Sequence, residues 1–350
     1  MGLRKIQRPV AALGDQSIKH SFDCLKFLIC SIQRDYKKMC FKQILKLTFI
    51  FLLVFTMRVK AQTNLPKVVS GKIDRIENFK SQFISSRNVD IWLPEGYSEL
   101  TKYAVLYMHD GQMLFDPEQT WNKQAWNIDD IASELIQKNK VKPFIIVGIW
   151  SNGNSRHSDY YPQNPFENLS DIEKDTIHAQ LKKATRINDF FKPQSDNYLK
   201  FISKELKPFI DKKYSVYSDR ENTCIAGSSM GGLISMYAIC EYPELFGAAI
   251  CMSTHWLGTF TKENNPIPNS LLQYLSKNLP NPQNHKIYFD CGDKTLDAFY
   301  PETQMKVDLL MKNKKFSESH WLTKYFPGED HSEKAWNKRI HIPLTYIFEK

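Results

Sequence analysis

Short apolar runs alternate with amphipathic segments along the chain after residue 62. Continuous apolar runs of this kind are typical of strands that are buried on both faces of a parallel sheet. They occupy residues 89–93, 104–108, 144–149, 223–226, 247–252, 286–291 and 320–326. Because helix-like segments separate several of these runs, the pattern predicts an α/β fold in which a mostly parallel central sheet carries helices on both faces.

Two segments between the apolar runs have apolar residues at helical spacing. These are residues 128–139 and residues 196–213, the second of which contains Pro208. Residues 151–194 are different, since they are polar, aromatic and interrupted by prolines. A connection of that length is uncommon in a compact domain unless it has a function, so we expect it to form part of the entrance to a site.

The basic character of the chain is confined to its first 61 residues. They contain 12 Lys and Arg and 3 acidic residues, whereas the remaining 289 residues carry 35 charges of each sign. Proteins that bind nucleic acid carry a basic domain or patch. The charge distribution therefore argues against a nucleic-acid partner.

The segment Met39–Ala61 has the parts of a secretory signal peptide. Lys42 and Lys46 form a basic region, residues 47–57 are apolar, and the small residue Ala61 precedes the expected cleavage point. The apolar part is shorter than the roughly 20 residues that a membrane-spanning helix needs. This pattern predicts export, with an uncleaved membrane anchor as the alternative.

These features predict two parts of the chain. Residues 1–61 are expected to be a leader and signal peptide, with Met39 as the true start, and residues 62–350 to be a single domain. The domain is expected to be secreted or periplasmic, with no stable membrane anchor after cleavage.

Four cysteines follow the predicted signal peptide, namely Cys224, Cys240, Cys251 and Cys291. Export permits disulfides, but a free cysteine also behaves as a small core residue, and the spacing does not decide between the two. Since three of the four lie in apolar runs, we expect buried thiols. The cysteines and histidines have no metal-site spacing, and no metal is expected.

A possible nucleophile lies at the sequence Gly227-Ser228-Ser229-Met230-Gly231. The five-residue pattern Gly-x-Ser-x-Gly is weak evidence alone, but here an apolar strand precedes it and a helix-forming segment follows it. A sharp turn between a strand and a helix exposes the serine hydroxyl above the sheet. The arrangement predicts Ser229 as the nucleophile of a hydrolase.

A serine hydroxyl needs an imidazole to remove its proton and a carboxylate to orient the imidazole. In α/β-hydrolases the three groups follow in the order Ser, Asp or Glu, His. His331 lies in a predicted turn after the last strand, and Asp297 lies in the loop after the strand before it. We expect these two residues to complete the set, with Asp293 as the alternative acid.

The oxyanion of an acyl-transfer transition state needs backbone N–H donors. One donor is expected at Met230, directly after the nucleophile, and the other at Gln112 or Gly111, in the loop after an earlier strand. His109 and Asp110 in the same loop could instead be metal ligands, but no partner motif accompanies them.

In combination, these motifs resemble the putative esterase family of α/β-hydrolases, over most of residues 77–348. That family includes feruloyl and acetylxylan esterases, siderophore esterases of the enterochelin type, S-formylglutathione hydrolase and mycolyl transferases. The motifs that carry the resemblance are Arg87–Pro94, His109–Gln112, Gly227–Gly232 and His331–Trp336. The sequence departs from the family at Gly292–Thr295, where the acidic residue is displaced.

The resemblance implies an α/β-hydrolase fold and ester hydrolysis without a cofactor. It also implies substrate contacts at His109, Asp110, Arg156, Tyr160, His255 and Trp256. Together with the predicted export, the resemblance indicates a serine esterase that acts on a small-molecule or glycan ester. The favoured substrate is an acyl or feruloyl ester of carbohydrate. The alternatives are a siderophore esterase, an acyltransferase or peptidase with the same three residues, and a binding protein that retains the fold without catalysis.

Overall fold

The computed structural model describes residues 64–184 and 191–350, together with seven single positions between residues 31 and 46. The predicted signal peptide, Met39–Ala61, lies outside the described residues except for Gln43 and Lys46. Residues Leu65–Lys350 form one compact unit, which contains all the elements discussed below. Within the described ranges, no helix combines the length and the apolar character that crossing a bilayer requires.

Eight strands of the described chain form one mixed sheet in the order β1-β2-β4-β3-β5-β6-β7-β8. The first two pairings, β1 with β2 and β2 with β4, are antiparallel, and all the others are parallel. The strands are β1 (Lys72–Phe79), β2 (Arg87–Leu93), β3 (Ala104–His109), β4 (Phe144–Ile149), β5 (Thr223–Ser228), β6 (Ala248–Met252), β7 (Lys286–Cys291) and β8 (Trp321–Tyr325).

The predicted fold class is confirmed, because the central strands are parallel and buried. Every residue of β3, β4, β5 and β6 is buried, as expected of strands covered by helices on both faces. Strand β1 was not predicted. Its sequence, KIDRIENF, mixes charged and apolar residues, and the strand lies partly exposed at the edge of the sheet.

Eleven helices surround this sheet in the described part of the chain, joined by short 3-10 segments. They are α1 (Ile128–Gln137), α2 (Arg156–Tyr160), α3 (Gln163–Glu167), α4 (Asp171–Lys183), α5 (Ser195–Lys200), α6 (Lys207–Lys213), α7 (Met230–Glu241), α8 (Ile267–Asn278), α9 (Pro301–Asn313), α10 (Glu333–Arg339) and α11 (His341–Phe348). In the part of the polar connection that the structure describes, residues 151–184 and 191–194, there are three helices, α2, α3 and α4.

Two hydrophobic cores lie on the two faces of the sheet. Alternate residues of β3 point to opposite faces, so Val105 and Tyr107 join one core while Leu106 and Met108 join the other. Helix α7 is buried along almost its whole length and packs against β5 and β6. The nucleophile candidate therefore lies between a fully buried strand and a helix that is buried along almost its whole length.

The helical segment predicted at 196–213 is present, but a π-helical stretch, Phe201–Leu206, separates α5 from α6. Pro208 occupies the first turn of α6, where its missing N–H is tolerated. The π-helical turns directly upstream let the chain continue in helical form to the proline.

The four cysteines of the described region are free and buried, as the sequence indicated. Burial raises the pKa of each thiol above its ordinary range. These side chains act as core residues and are not positioned for chemistry.

The loop after β3 lies directly against β4. A Cβ atom added to Gly111 would lie 2.5 Å from both the carbonyl carbon and the oxygen of Gly148. Since both are backbone atoms, no side-chain rotation can relieve that overlap. Glycine at position 111 is what allows the loop to approach the sheet so closely.

We therefore expect Gly111→Ala to lower the free energy of unfolding by about 1–3 kcal/mol, because the loop or β4 must move. Chemical denaturation of the purified protein measures this loss. Gly153→Ala is the matched control, since an added Cβ there would contact nothing within 4 Å. An equal effect of the two substitutions would contradict the close packing of the loop.

Candidate active site

Ser229 occupies a sharp turn between β5 and α7. Its backbone angles are φ 57° and ψ −122°, a strained conformation for a residue with a side chain. The turn is tight because a Cβ atom on Gly227 would lie 2.7 Å from the carbonyl carbon of Gly231. The Ser229 N–H donates to the carbonyl of Met252 at 3.0 Å, which fixes the turn to β6.

His331 follows β8 and contacts the carboxylate of Asp297. The imidazole Nδ1 lies 2.5 Å from Asp297 Oδ1, and the ring is only slightly exposed. Asp297 lies in a 3-10 helix, Thr295–Phe299, that follows β7. The His331 backbone N–H donates to Thr295 Oγ1 at 3.0 Å, so the two loops are joined twice.

The second oxygen of the buried Asp297 carboxylate is also fully engaged. Ser253 Oγ lies 2.7 Å from Oδ2, and the Gly292 N–H donates to it at 2.6 Å. Ser253 Oγ also accepts from Trp336 Nε1 and from Arg339 Nη2, both at 2.9 Å. Since the indole and guanidinium groups only donate, the Ser253 hydroxyl proton must point to Asp297.

A second buried carboxylate, Asp290, lies beside this group. Arg339 Nη2 is 3.1 Å from Asp290 Oδ1, and the Tyr288 hydroxyl donates to Oδ2 at 3.0 Å. Burial raises the pKa of Asp290, and the Arg339 guanidinium opposes that rise. Two buried carboxylates thus share one buried guanidinium, and a proton on the His331 ring would balance the remaining negative charge.

Asp293, the alternative acid, lies elsewhere. It accepts from the Gly328 N–H at 2.9 Å and from the Tyr325 hydroxyl at 3.0 Å, and it pairs with Lys294. The hydrogen bond from Lys294 lowers the pKa of Asp293. The structure therefore brings Asp297, and not Asp293, to the imidazole.

Residues 110–113, directly after β3, lie on the other side of Ser229 from the His331–Asp297 pair. Asp110 has a left-handed backbone (φ 55°), and Gly111–Met113 forms a 3-10 turn. The Gln112 side chain is held by Ser151, with Nε2 at 2.6 Å from the hydroxyl. Met230 is the first residue of α7, where helix geometry leaves the backbone N–H without a partner in the helix.

Asp110 forms a bidentate pair with Arg156, whose Nε and Nη2 each lie 2.7 Å from a carboxylate oxygen. Burial alone would raise the pKa of Asp110, but the guanidinium holds it below its usual range. The neighbouring His109 is buried, with Nδ1 at 2.8 Å from the Tyr198 hydroxyl. Burial lowers the pKa of His109 to about 3.

Three of the predicted substrate contacts are buried behind the site. The Tyr160 hydroxyl lies 3.2 Å from the Asp110 N–H, and Trp256 Nε1 donates to Gln304 at 3.0 Å. His255 Nδ1 lies 2.7 Å from the Tyr300 hydroxyl. The structure does not bring these side chains to the surface of the cleft, because they are packed within the core.

Sequence reasoning missed Tyr300, Ser253 and Arg339. Burial holds the pKa of the Tyr300 phenol well above its usual range. Its ring also packs edge-on against His331, with centroids 5.7 Å apart. Only Ser253 carried a usable signal, since it follows β6 at the carboxyl end of the sheet, where α/β proteins build their sites.

Six of the predicted residues line one cleft of about 1290 Å³. Its lining includes His109, Asp110, Gln112, Arg156, Ser229 and His331. The connection at 151–194 contributes several side chains to the wall, as expected of a segment at the entrance. Within the described residues, no group of three or more His, Cys, Asp or Glu side chains is arranged to hold a metal ion.

Two curated relatives show weak similarity to the chain. The uncharacterized protein YjcH of Bacillus subtilis is 24% identical over 186 residues, which are 53% of this chain and 63% of that protein, less than two thirds of its length. An endo-1,4-beta-xylanase/feruloyl esterase of Xylanibacter ruminicola is 25% identical over 229 residues, which are 64% of this chain and 25% of the relative.

Solved structures of similar fold include esterases. A ferulic acid esterase from the anaerobic fungus Anaeromyces mucronatus is 19% identical with a TM-score of 0.56, and the match covers 83% of this chain and 94% of that one. The enterobactin esterase of Shigella flexneri is 16% identical with a TM-score of 0.56, over 81% of this chain and 60% of that one. At these identities, the similarity shows that the fold is shared and nothing more.

The sequence model of one family, described as putative esterase, matches residues 81–341. This match spans all the elements from β2 to α10 and includes the serine turn, the His331–Asp297 pair and the loop after β3. The chain therefore belongs to the putative esterase family and has the α/β-hydrolase fold.

Proposed function

We propose that the protein is an exported serine esterase that hydrolyses acyl or feruloyl esters of carbohydrate through Ser229, His331 and Asp297. The observation that carries this proposal is the 2.5 Å contact between His331 Nδ1 and the buried Asp297 carboxylate, in the cleft that the strained Ser229 also lines. A carboxylate in that position fixes the imidazole tautomer and leaves Nε2 free to accept a proton.

The other two histidines near Ser229 are unsuited to be the base. Burial lowers the pKa of His109 to about 3 and that of His255 well below its ordinary value. A good general base has a pKa near the working pH, so neither ring accepts a proton readily. His331 is partly exposed in the cleft and is the one of the three that a carboxylate contacts.

In the proposed reaction, Ser229 Oγ attacks the ester carbonyl while His331 Nε2 takes the hydroxyl proton. The Met230 and Gln112 N–H groups bind the oxyanion of the tetrahedral intermediate. His331 then gives its proton to the departing alkoxide, which leaves as the alcohol. Water attacks the acyl-enzyme by the same route and releases the acid, which restores the Ser229 hydroxyl.

The buried charges around Asp297 support this cycle. The resting pair of carboxylates exceeds the single Arg339 guanidinium by one negative charge. An imidazolium on His331 removes that excess at the moment when the tetrahedral intermediate forms. Because these side chains are largely buried, their mutual attraction is stronger than it would be in water.

The proposal also requires the Ser229 hydroxyl to turn. Among the described residues, no hydrogen bond joins the Ser229 hydroxyl to His331. Catalytic hydrogen bonds of free enzymes are often long and tighten only when substrate binds. Rotation about the Ser229 Cα–Cβ bond would then aim the hydroxyl proton at His331 Nε2.

The preference for carbohydrate esters has two supports. The curated Xylanibacter relative is named as a feruloyl esterase joined to a xylanase, and the predicted signal peptide would place the enzyme where polysaccharide is found. A siderophore ester is the second candidate, favoured by the similar fold of the Shigella enterobactin esterase.

Ser229→Ala is expected to lower the rate of ester hydrolysis by roughly a thousandfold or more and to abolish labelling by a fluorophosphonate, because the attacking oxygen is gone. Mass spectrometry of the labelled protein and circular dichroism check both the reaction and the fold. Ser158→Ala, in the wall of the same cleft, should leave the labelling intact. Labelling that persists in Ser229→Ala would overturn the assignment.

Asp297→Asn is expected to lower kcat by about 10³–10⁴-fold, because an amide no longer holds the reactive tautomer of His331. Asp293→Asn is the matched control, and its exposed ion pair should matter little. Steady-state kinetics on an activated ester measures both. A larger loss for Asp293→Asn would transfer the acid role to that residue.

A screen of acetylated sugar, feruloylated sugar and siderophore esters tests the substrate class. We expect the highest kcat/KM on the sugar esters, with Ser229→Ala as the blank. A preference for the siderophore ester would replace the carbohydrate assignment by the second candidate.

A further inference from the structure

An unpartnered tryptophan lies at the rim of the cleft. The Trp121 side chain lines the cleft entrance and is 84% exposed. Within the described chain, its indole N–H makes no hydrogen bond and its ring stacks on no other aromatic group. An exposed indole offers a flat aromatic face and an N–H donor, and at the rim of a cleft both are available to a ligand.

The loop that carries Trp121 is fixed to the helix beside His331. Asn122 Nδ2 donates to Glu333 Oε2 at 2.8 Å, and Gln124 accepts from the Lys334 N–H at 3.3 Å. The Asn337 amide donates to the Trp126 carbonyl at 2.5 Å. Helix α10 therefore holds the loop that carries Trp121 in place.

Stacked rings connect the same loop to the catalytic histidine candidate. Trp126 and Trp336 stack with centroids 5.3 Å apart, and Trp336 meets the His331 ring edge-on at 5.0 Å. Trp121 thus lies on the His331 side of the cleft. The opposite wall includes Arg156, which is hydrogen-bonded to Asp110 at the end of β3.

The proposed reaction places the alcohol half of the ester on one side of the cleft and the acyl half on the other. His331 must protonate the departing alkoxide, so the alcohol half of the substrate lies against the His331 side. The acyl half then extends toward the opposite wall. The rim that carries Trp121 is where the alcohol half emerges from the cleft.

We propose that Trp121 is the stacking platform of a subsite for the sugar ring that carries the ester, an inference that rests on the proposed function. The flat apolar face of the indole matches the C–H face of a sugar ring. Asn122, Gln124 and Glu333 line the cleft beside it and offer amide and carboxylate groups to ring hydroxyls. The Glu333 carboxylate also disfavours an anionic alcohol.

The test uses binding, so that it does not depend on turnover. Calorimetry on Ser229→Ala measures the Kd of a feruloylated methyl arabinofuranoside and of methyl ferulate, which share the acyl group. Adding Trp121→Ala should raise the Kd of the sugar ester about tenfold and that of methyl ferulate less than twofold. Trp121→Phe should recover most of the affinity for the sugar ester.

Tyr217→Ala, an exposed aromatic outside the cleft, is the matched control and should change neither Kd. Equal effects of Trp121→Ala on both esters, or no effect on either, would overturn the subsite, as would a sugar ester that does not bind. Failure of the proposed function gives a different result, namely ester hydrolysis that survives in Ser229→Ala.

Discussion

The buried carboxylate of Asp297 is the constraint on which the rest of the site depends. An unpaired carboxylate in a protein interior is prohibitively costly, so each of its oxygens must be satisfied. His331 and Gly292 contact it directly, and Ser253 donates to it while receiving hydrogen bonds from Trp336 and Arg339. Segments that follow β6, β7 and β8 are thereby fixed to one another through a single side chain.

The parallel sheet explains why these segments can meet. Strands β3, β5, β6, β7 and β8 run in the same direction, so the loops at their carboxyl ends lie along one edge. The loop after β3 brings Gln112, the turn after β5 brings Ser229, and the later loops bring Asp297 and His331. Each of β3, β5, β7 and β8 is thus followed by one of these four side chains.

The sequence allowed the sheet and the turn at Ser229 to be predicted, because each rests on a local pattern. Chain order offered both Asp293 and Asp297 as the acid, and the preference for Asp297 rested on its position farther from β7. The sequence did not reveal β1, whose mixed sequence reflects an exposed edge. Arg339 and Ser253 were also missed. They are 86 residues apart and are connected only through folding, so no spacing in the chain signals their hydrogen bond.

The strained backbone of Ser229 lowers the stability of the fold at the position that carries the hydroxyl. Its φ of 57° and ψ of −122° cost about 1–3 kcal/mol for a residue with a side chain, and the buried surroundings of β5 and α7 supply that energy. Glycine at this position would relax the turn and yield a more stable protein without a hydroxyl. Directed evolution for heat resistance alone would therefore tend to remove the proposed nucleophile, whereas selection that also demands turnover must find its gains elsewhere in the fold.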